Sequence, residues 1–223
     1  MDKMRCPLWD ICTRKEEKMF KKKSIMAAVL MAFVIMCSIL GGCGDEAATP
    51  EQKAEKAVAD MTEYTVQGVD TSIVIKSPFE PKAAKTPPPA GPNRRFIKKQ
   101  VATDTNNKKV QLLTATIIYD KAKVEKATGT AFTVDLNQQV NTVKENIGKK
   151  YQNASDVEVT DVEVSGNLGK LMKFQYDSKN GTRLDSRIMY FLKDAEQWNI
   201  QINAQADDEE SKAIADAMLA SVK

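Results

Sequence analysis

The sequence predicts an α+β domain, a twisted antiparallel sheet flanked by helices in an α/β/α sandwich, and three observations carry that prediction. Trp198, Ile200, Ile202 and Ala204 alternate strictly with Asn199, Gln201, Asn203 and Gln205, so one strand face is dry and the other wet, as antiparallel sheets allow. Asn180-Gly181 separates Lys170–Asp177 from Arg183–Lys193, two runs with aligned apolar positions, which predicts a hairpin with a type I′ turn. Leu136, Val140, Val143, Ile147 and Tyr151 recur at spacings of four and three, the apolar stripe of a helix lying on a sheet. Strands that follow one another through hairpins exclude a doubly wound parallel fold.

In chain order, residues 1–42 read as a leader. Lys21, Lys22 and Lys23 form a basic patch, Ser24 to Gly42 is uncharged and largely apolar, and Leu40-Gly41-Gly42-Cys43 closes the stretch. The small Gly41 and Gly42 give a leader peptidase the extended, unhindered segment it needs. The segment resembles the lipobox of bacterial lipoprotein signal peptides. That resemblance implies cleavage after Gly42, diacylglycerol on the Cys43 sulfur, and a domain outside the cytoplasm held at the cell membrane. Two or three acyl chains, at ~0.8 kcal/mol per buried CH₂, anchor stably where one would not. An uncleaved transmembrane helix is the competing reading, because the stretch approaches bilayer length; the glycines and cysteine falling at its end favour cleavage. Residues 1–18 precede an already complete signal, which points to Met19 as the translation start.

Composition narrows the chemistry. All four cysteines (Cys6, Cys12, Cys37 and Cys43) lie at or before the cleavage site, so the mature chain forms no internal disulfide. With no histidine in the sequence, every Ser-His or Cys-His arrangement is excluded, along with the commonest metal ligand. The net charge of +3 resides in the leader; beyond Gly42, 25 basic side chains face 26 acidic ones. Such a balance gives no reason to expect a nucleic-acid partner. No cofactor or metal motif is present.

Residues 43–62, small, charged and alanine-rich, read as a lipidated tether with at most a helical turn or two in Glu51–Met61. The domain proper is expected over 63–223. Strand signals at Tyr64–Val66 and Thr71–Lys76 come first, followed by a proline-rich loop over 78–92, since proline gives no ladder donors. Phe96–Ala102 and Val110–Tyr119 read as a hairpin. Asp135 is the expected N-cap of the striped helix. Val157–Val164 alternates with a phase shift at Thr160-Asp161, read as a bulge. Asp207 and Glu210 are expected to cap a final helix in which Ile214, Ala217, Met218 and Leu219 face inward.

Ser77-Pro78-Phe79, the mid-chain helix, Arg187-Ile188-Met189-Tyr190-Phe191, Trp198-Asn199-Ile200 and Met218-Leu219-Ala220-Ser221-Val222 together resemble the PsbP-like group, over roughly Val69–Val222. That group includes bacterial DcrB-like lipoproteins, the lumenal photosystem II subunit and a Ran-binding import factor. The resemblance implies the sandwich fold and an accessory binding role without a shared catalytic set. Pro87–Pro92 looks like an insertion.

Candidate chemistry is sparse. Lys82, Lys85, Arg94, Arg95, Lys98 and Lys99 occur with no acidic residue among them. They suit an anionic lipid, wall polymer or acidic partner, although lysines at a strand end also simply discourage edge pairing. Asp207, Asp208, Glu209 and Glu210 match helix capping better than any calcium loop. Trp198 and Tyr190 read as core in preference to a ligand pocket. Two functional classes result: a non-catalytic envelope protein that binds a partner protein, lipid or wall polymer, and, as the alternative, a carboxylate-dependent hydrolase using Asp156, Asp161 and Glu163.

Overall fold

The computed structural model describes residues 49–83, 94–103 and 110–223. Leu40, Gly41, Gly42 and Cys43, which the sequence reading takes as a lipobox, and Lys85 of the basic segment lie outside them.

The first described element is a helix, α1 (Pro50–Ala59), within the stretch expected to be a tether. Thr49 and Gln52 cap it reciprocally: Gln52 N–H donates to Thr49 Oγ1 at 3.3 Å, and Thr49 N–H donates to Gln52 Oε1 at 3.0 Å. Pro50 at the first helical position is pre-set for the helix. Ordered structure thus begins before residue 63, with Ala57 and Met61 packed on the main core.

Next come β1 (Thr62–Gln67) and β2 (Ser72–Ser77), an antiparallel hairpin forming its own two-stranded sheet. The main sheet holds β3 (Lys82–Ala83), β4 (Arg94–Thr103), β5 (Val110–Tyr119), β6 (Glu158–Val164), β7 (Asn167–Asp177), β8 (Arg183–Lys193) and β9 (Glu196–Gln205). Its order is β3-β4-β5-β9-β8-β7-β6, and every pairing is antiparallel. Three helices complete the chain: α2 (Lys121–Thr128), α3 (Leu136–Lys150) and α4 (Glu209–Ala220). The fold class is the α+β arrangement expected from the sequence.

Two cores sandwich the sheet. On one face Phe191, Trp198, Ile200, Ile202 and Ala204 meet Val66, Ile73 and Ile75 of the hairpin and Ile214, Ala215 and Met218 of α4. On the other, Met172, Phe174, Ile188 and Tyr190 meet Val140 and Ile147 of α3, with Leu136, Val143 and Tyr151 alongside. The predicted α3 stripe is therefore the buried one, and Asp135 caps it, accepting from the N–H groups of Asn137 and Gln138.

Four local expectations differ from what is found. β6 pairs with β7 without a bulge, from Glu158↔Lys173 to Val164↔Asn167. Its phase shift arises because Val157 and Val159 serve one core while Val162 and Val164 serve the other. The Asn180-Gly181 turn has a positive φ only at Gly181 (81°). With Gly181 N–H donating to Ser178 O, and Ser178 N–H to Thr182 O, it is a three-residue turn closing on a bulge, not type I′. The proline-rich loop contains β3, which pairs with Val101 and Gln100. Finally, α4 is capped at Asp208, which accepts from the Ser211 hydroxyl, and not at Asp207.

Candidate functional site

β9 lies between β5 and β8, so its backbone groups are committed on both sides. Its dry face carries Trp198, Ile200, Ile202 and Ala204, all fully buried. Its other face carries five consecutive outward positions that are all amides: Gln197, Asn199, Gln201, Asn203 and Gln205. α3 packs its apolar stripe on β7 and β8 and reaches β5 and β9 through the side chain of Gln139. A trough remains between helix and strand.

The trough has two lobes, of about 380 Å³ and 230 Å³, which share Thr142, Val143, Lys150, Tyr190 and Asn199. The larger lobe adds Ile117, Tyr119, Gln138, Gln139 and Gln197; the smaller adds Asn146, Ile147, Tyr151, Ile188 and Gln201. No carboxylate lines either lobe, and Lys150 is the one charged lining residue. The Lys150 ammonium sits 5.0 Å from the centroid of the Tyr151 ring, a cation–π contact at the rim.

At its floor the amides are locked. Gln139 Nε2 donates to Gln197 Oε1 at 2.7 Å, and Gln197 Nε2 donates back to Gln139 Oε1 at 2.8 Å. The Tyr119 hydroxyl donates to Gln197 Oε1 at 3.1 Å and accepts from Gln139 Nε2 at 3.0 Å. Gln197 is 2% exposed, and a buried amide is tolerated only when its hydrogen bonds are made. Further along the strand, Gln201 donates to Asn203 at 3.0 Å, and Asn203 donates to Gln111 of β5 at 3.1 Å. The side chains of Gln138 and Asn199, by contrast, make no hydrogen bond among the described residues, leaving donors and acceptors facing the lobes.

Tyr190 is 6% exposed, and burial, reinforced by Tyr151, pushes its phenol up to about 12. It is a neutral wall at any physiological pH.

The other candidates fall elsewhere. Trp198 and Tyr190 lie on opposite faces of the sheet and form no common pocket; Trp198 stacks with Phe191 at 6.4 Å between ring centroids. Asp161 pairs with Lys170 on the edge strand β6, Asp156 and Glu163 are exposed, and none of the three lines the trough. The backbones of Arg94, Arg95, Lys98 and Lys99 lie in β4, and Lys82 is exposed in β3. Among the described residues no group of three or more acidic, cysteine or histidine side chains is placed to hold a metal. No described helix is long and apolar enough to cross a membrane.

Sequence reasoning treated the amide row only as the wet side of a strand. The overlooked signal is its uniformity: a solvated sheet face normally mixes lysine, glutamate and threonine, whereas these five positions are all amides.

No family model and no curated protein matches the chain. Among solved structures it is similar to the cyanobacterial PsbP (CyanoP) of Synechocystis, at 11% identity and a TM-score of 0.48, over 82% of this chain and 98% of that one. It is also similar to LpqN, involved in cell envelope biogenesis of Mycobacterium tuberculosis, at 14% identity and a TM-score of 0.36, over 75% and 92% of the two chains. A third similarity is to PA94, a protein of unknown function from Pseudomonas aeruginosa, at 13% identity and a TM-score of 0.36, over 66% and 85%.

Proposed function

We propose that this is a lipid-anchored, extracytoplasmic protein of the cell envelope that binds a partner or envelope component without transforming it. The observation that carries the binding reading is the trough. It is an open groove between a helix and a sheet, part apolar and furnished with preset hydrogen-bonding groups, features that ligand sites share. Its lining offers amides, hydroxyls and phenols beside Ile117, Val143, Ile147 and Ile188, while the carboxylates a histidine-free hydrolase would need lie outside it. The address rests on Leu40-Gly41-Gly42-Cys43 following an apolar stretch with a basic start.

Detergent phase partitioning of the protein expressed in a bacterial host tests the anchor. The unaltered chain is expected in the detergent-rich phase and a Cys43→Ser variant in the aqueous phase. An intact mass showing Cys43 unmodified and still joined to Gly42 would refute it.

A further inference from the structure

We propose that the trough between α3 and β9 takes a neutral, polyhydroxylated chain, a glycan strand, as its ligand; this rests on the binding reading above and supplies its chemistry.

Elimination by charge comes first. A cation site needs carboxylates, and none lines either lobe. A phosphate or sulfate ligand calls for clustered guanidinium or ammonium groups, and the lining supplies Lys150 alone. A wholly apolar ligand would suit Ile117, Val143, Ile147 and Ile188 but would strip water from the side chains of Gln138 and Asn199 without replacing their hydrogen bonds, which is unfavourable.

Backbone accounting removes the commonest peptide mode. An extended peptide is usually held by adding a strand to a free sheet edge. The trough lies over the middle of the sheet, where the N–H and C=O groups of β9 already pair with β5 and β8. Recognition here falls to side chains only. An amide presents two donors and an acceptor, a hydroxyl a donor and two lone pairs, so a row of amides and a row of sugar hydroxyls satisfy one another in many registers. Val143 and Tyr190 supply apolar wall against which the C–H faces of sugar rings can lie.

Preorganisation points the same way. The paired amides of Gln139 and Gln197 are fixed by each other and by Tyr119 before any ligand arrives, so little ordering accompanies binding. Gln138 and Asn199, which line the same lobe, provide further donors and acceptors.

The test is titration calorimetry on the detergent-solubilised full chain with two neutral probes, the hexamer of glucose and the hexamer of N-acetylglucosamine. At least one is expected to bind with a Kd tighter than ~1 mM. Gln138→Ala/Asn199→Ala is expected to weaken it at least tenfold, about 1.4 kcal/mol, with an unchanged circular dichroism spectrum. Raising NaCl from about 50 mM to about 500 mM is expected to change the affinity by less than about twofold, because a neutral ligand is not held by screened charge. Binding of neither hexamer, affinity indifferent to the double variant, displacement of the sugar by an uncharged decapeptide, or loss of binding at the higher salt would each overturn the proposal. The Cys43 partitioning result is independent of all of these, so a failed glycan titration with intact anchoring refutes the ligand and leaves the address standing.

Discussion

Thr71 donates twice to a single oxygen of Glu196: its N–H and its hydroxyl each reach Oε2 at 2.8 Å. Val69 N–H donates to the other oxygen at 2.6 Å, and Asp70 N–H reaches Oε2 at 3.1 Å. One carboxylate, 1% exposed at the start of β9, therefore gathers the whole turn between β1 and β2. The Trp198 indole N–H also donates to the Thr71 hydroxyl, at 2.9 Å. The small hairpin is fastened to the main sheet across some 125 residues of chain.

Glu196→Gln is expected to destabilise the domain by ~1–3 kcal/mol in urea titrations, because the new amide NH₂ turns a donor toward donors. The wild-type pH profile follows from the same contacts. Burial pushes the carboxyl up, but the hydrogen bonds from Val69 and Thr71 outweigh it and hold the group below its ordinary value of 4.5. A group lowered in the folded state stabilises above its unfolded value, and that contribution disappears as pH falls through the folded value. Stability should therefore drop from about pH 4.5 downward, less steeply in Glu196→Gln. Asp177, held low by Asn153 and Arg183, leaves a residual acid dependence in the variant.

Gly68→Ala and Gly148→Ala are expected to move stability in opposite directions. A Cβ on Gly68 would stand 2.5 Å from Glu196 Oε1 and 2.7 Å from both Thr71 O and Trp198 Cζ2, overpacking that costs ~1–3 kcal/mol. A Cβ on Gly148, inside α3, meets nothing within 4 Å. Alanine there should stabilise by ~0.5–1 kcal/mol, raising Tm by roughly 1–4 °C. Thermal melts of the two variants decide the point.

Arg187 is 4% exposed on β8. Its Nε and one terminal nitrogen clamp Asp216 of α4 at 2.6 and 3.1 Å, while Nη1 is buried without a partner. Asp216→Ala should cost ~2–4 kcal/mol by chemical denaturation, since it strands a buried cation beside Asp185 alone. Adding Arg187→Met to that variant should recover part of the loss; a double variant less stable than Asp216→Ala would contradict this account.

Two phenols should titrate late. Burial, with a smaller push from Tyr151, raises both Tyr176 and Tyr190 to about 12. In a spectrophotometric titration of the native protein their absorbance change is expected near pH 12, and Tyr176→Phe and Tyr190→Phe should each remove part of that late amplitude. A folded-state value raised above the unfolded one near 10 makes stability fall as pH climbs between the two.

The α+β class was legible because the elements that define it are strongly one-sided. β9 buries Trp198, Ile200, Ile202 and Ala204 completely, so alternation survives in the sequence, and α3 buries the stripe its spacing announces. α2 was missed because only Val124 is buried in it. Its markers were its caps: Asp120 accepting from Lys123 N–H at 3.0 Å, and left-handed Gly129 at φ 71°. The Ser165-Gly166 turn, with φ values of 48° and 82°, also went unremarked, though it joins β6 to β7. The trough was invisible for a different reason. Gln139 and Gln197 lie 58 positions apart, and nothing in either local sequence says that their amides meet.

Among the described residues, the earliest elements in the chain, α1 and the β1–β2 hairpin, are packed by the C-terminal-most one, α4, and Val74 exchanges two backbone hydrogen bonds with Lys223, at 2.8 and 3.0 Å. Contacts of such long sequence separation form slowly, because loop closure precedes any reward. A nascent chain of this protein cannot complete its larger core until α4 has emerged.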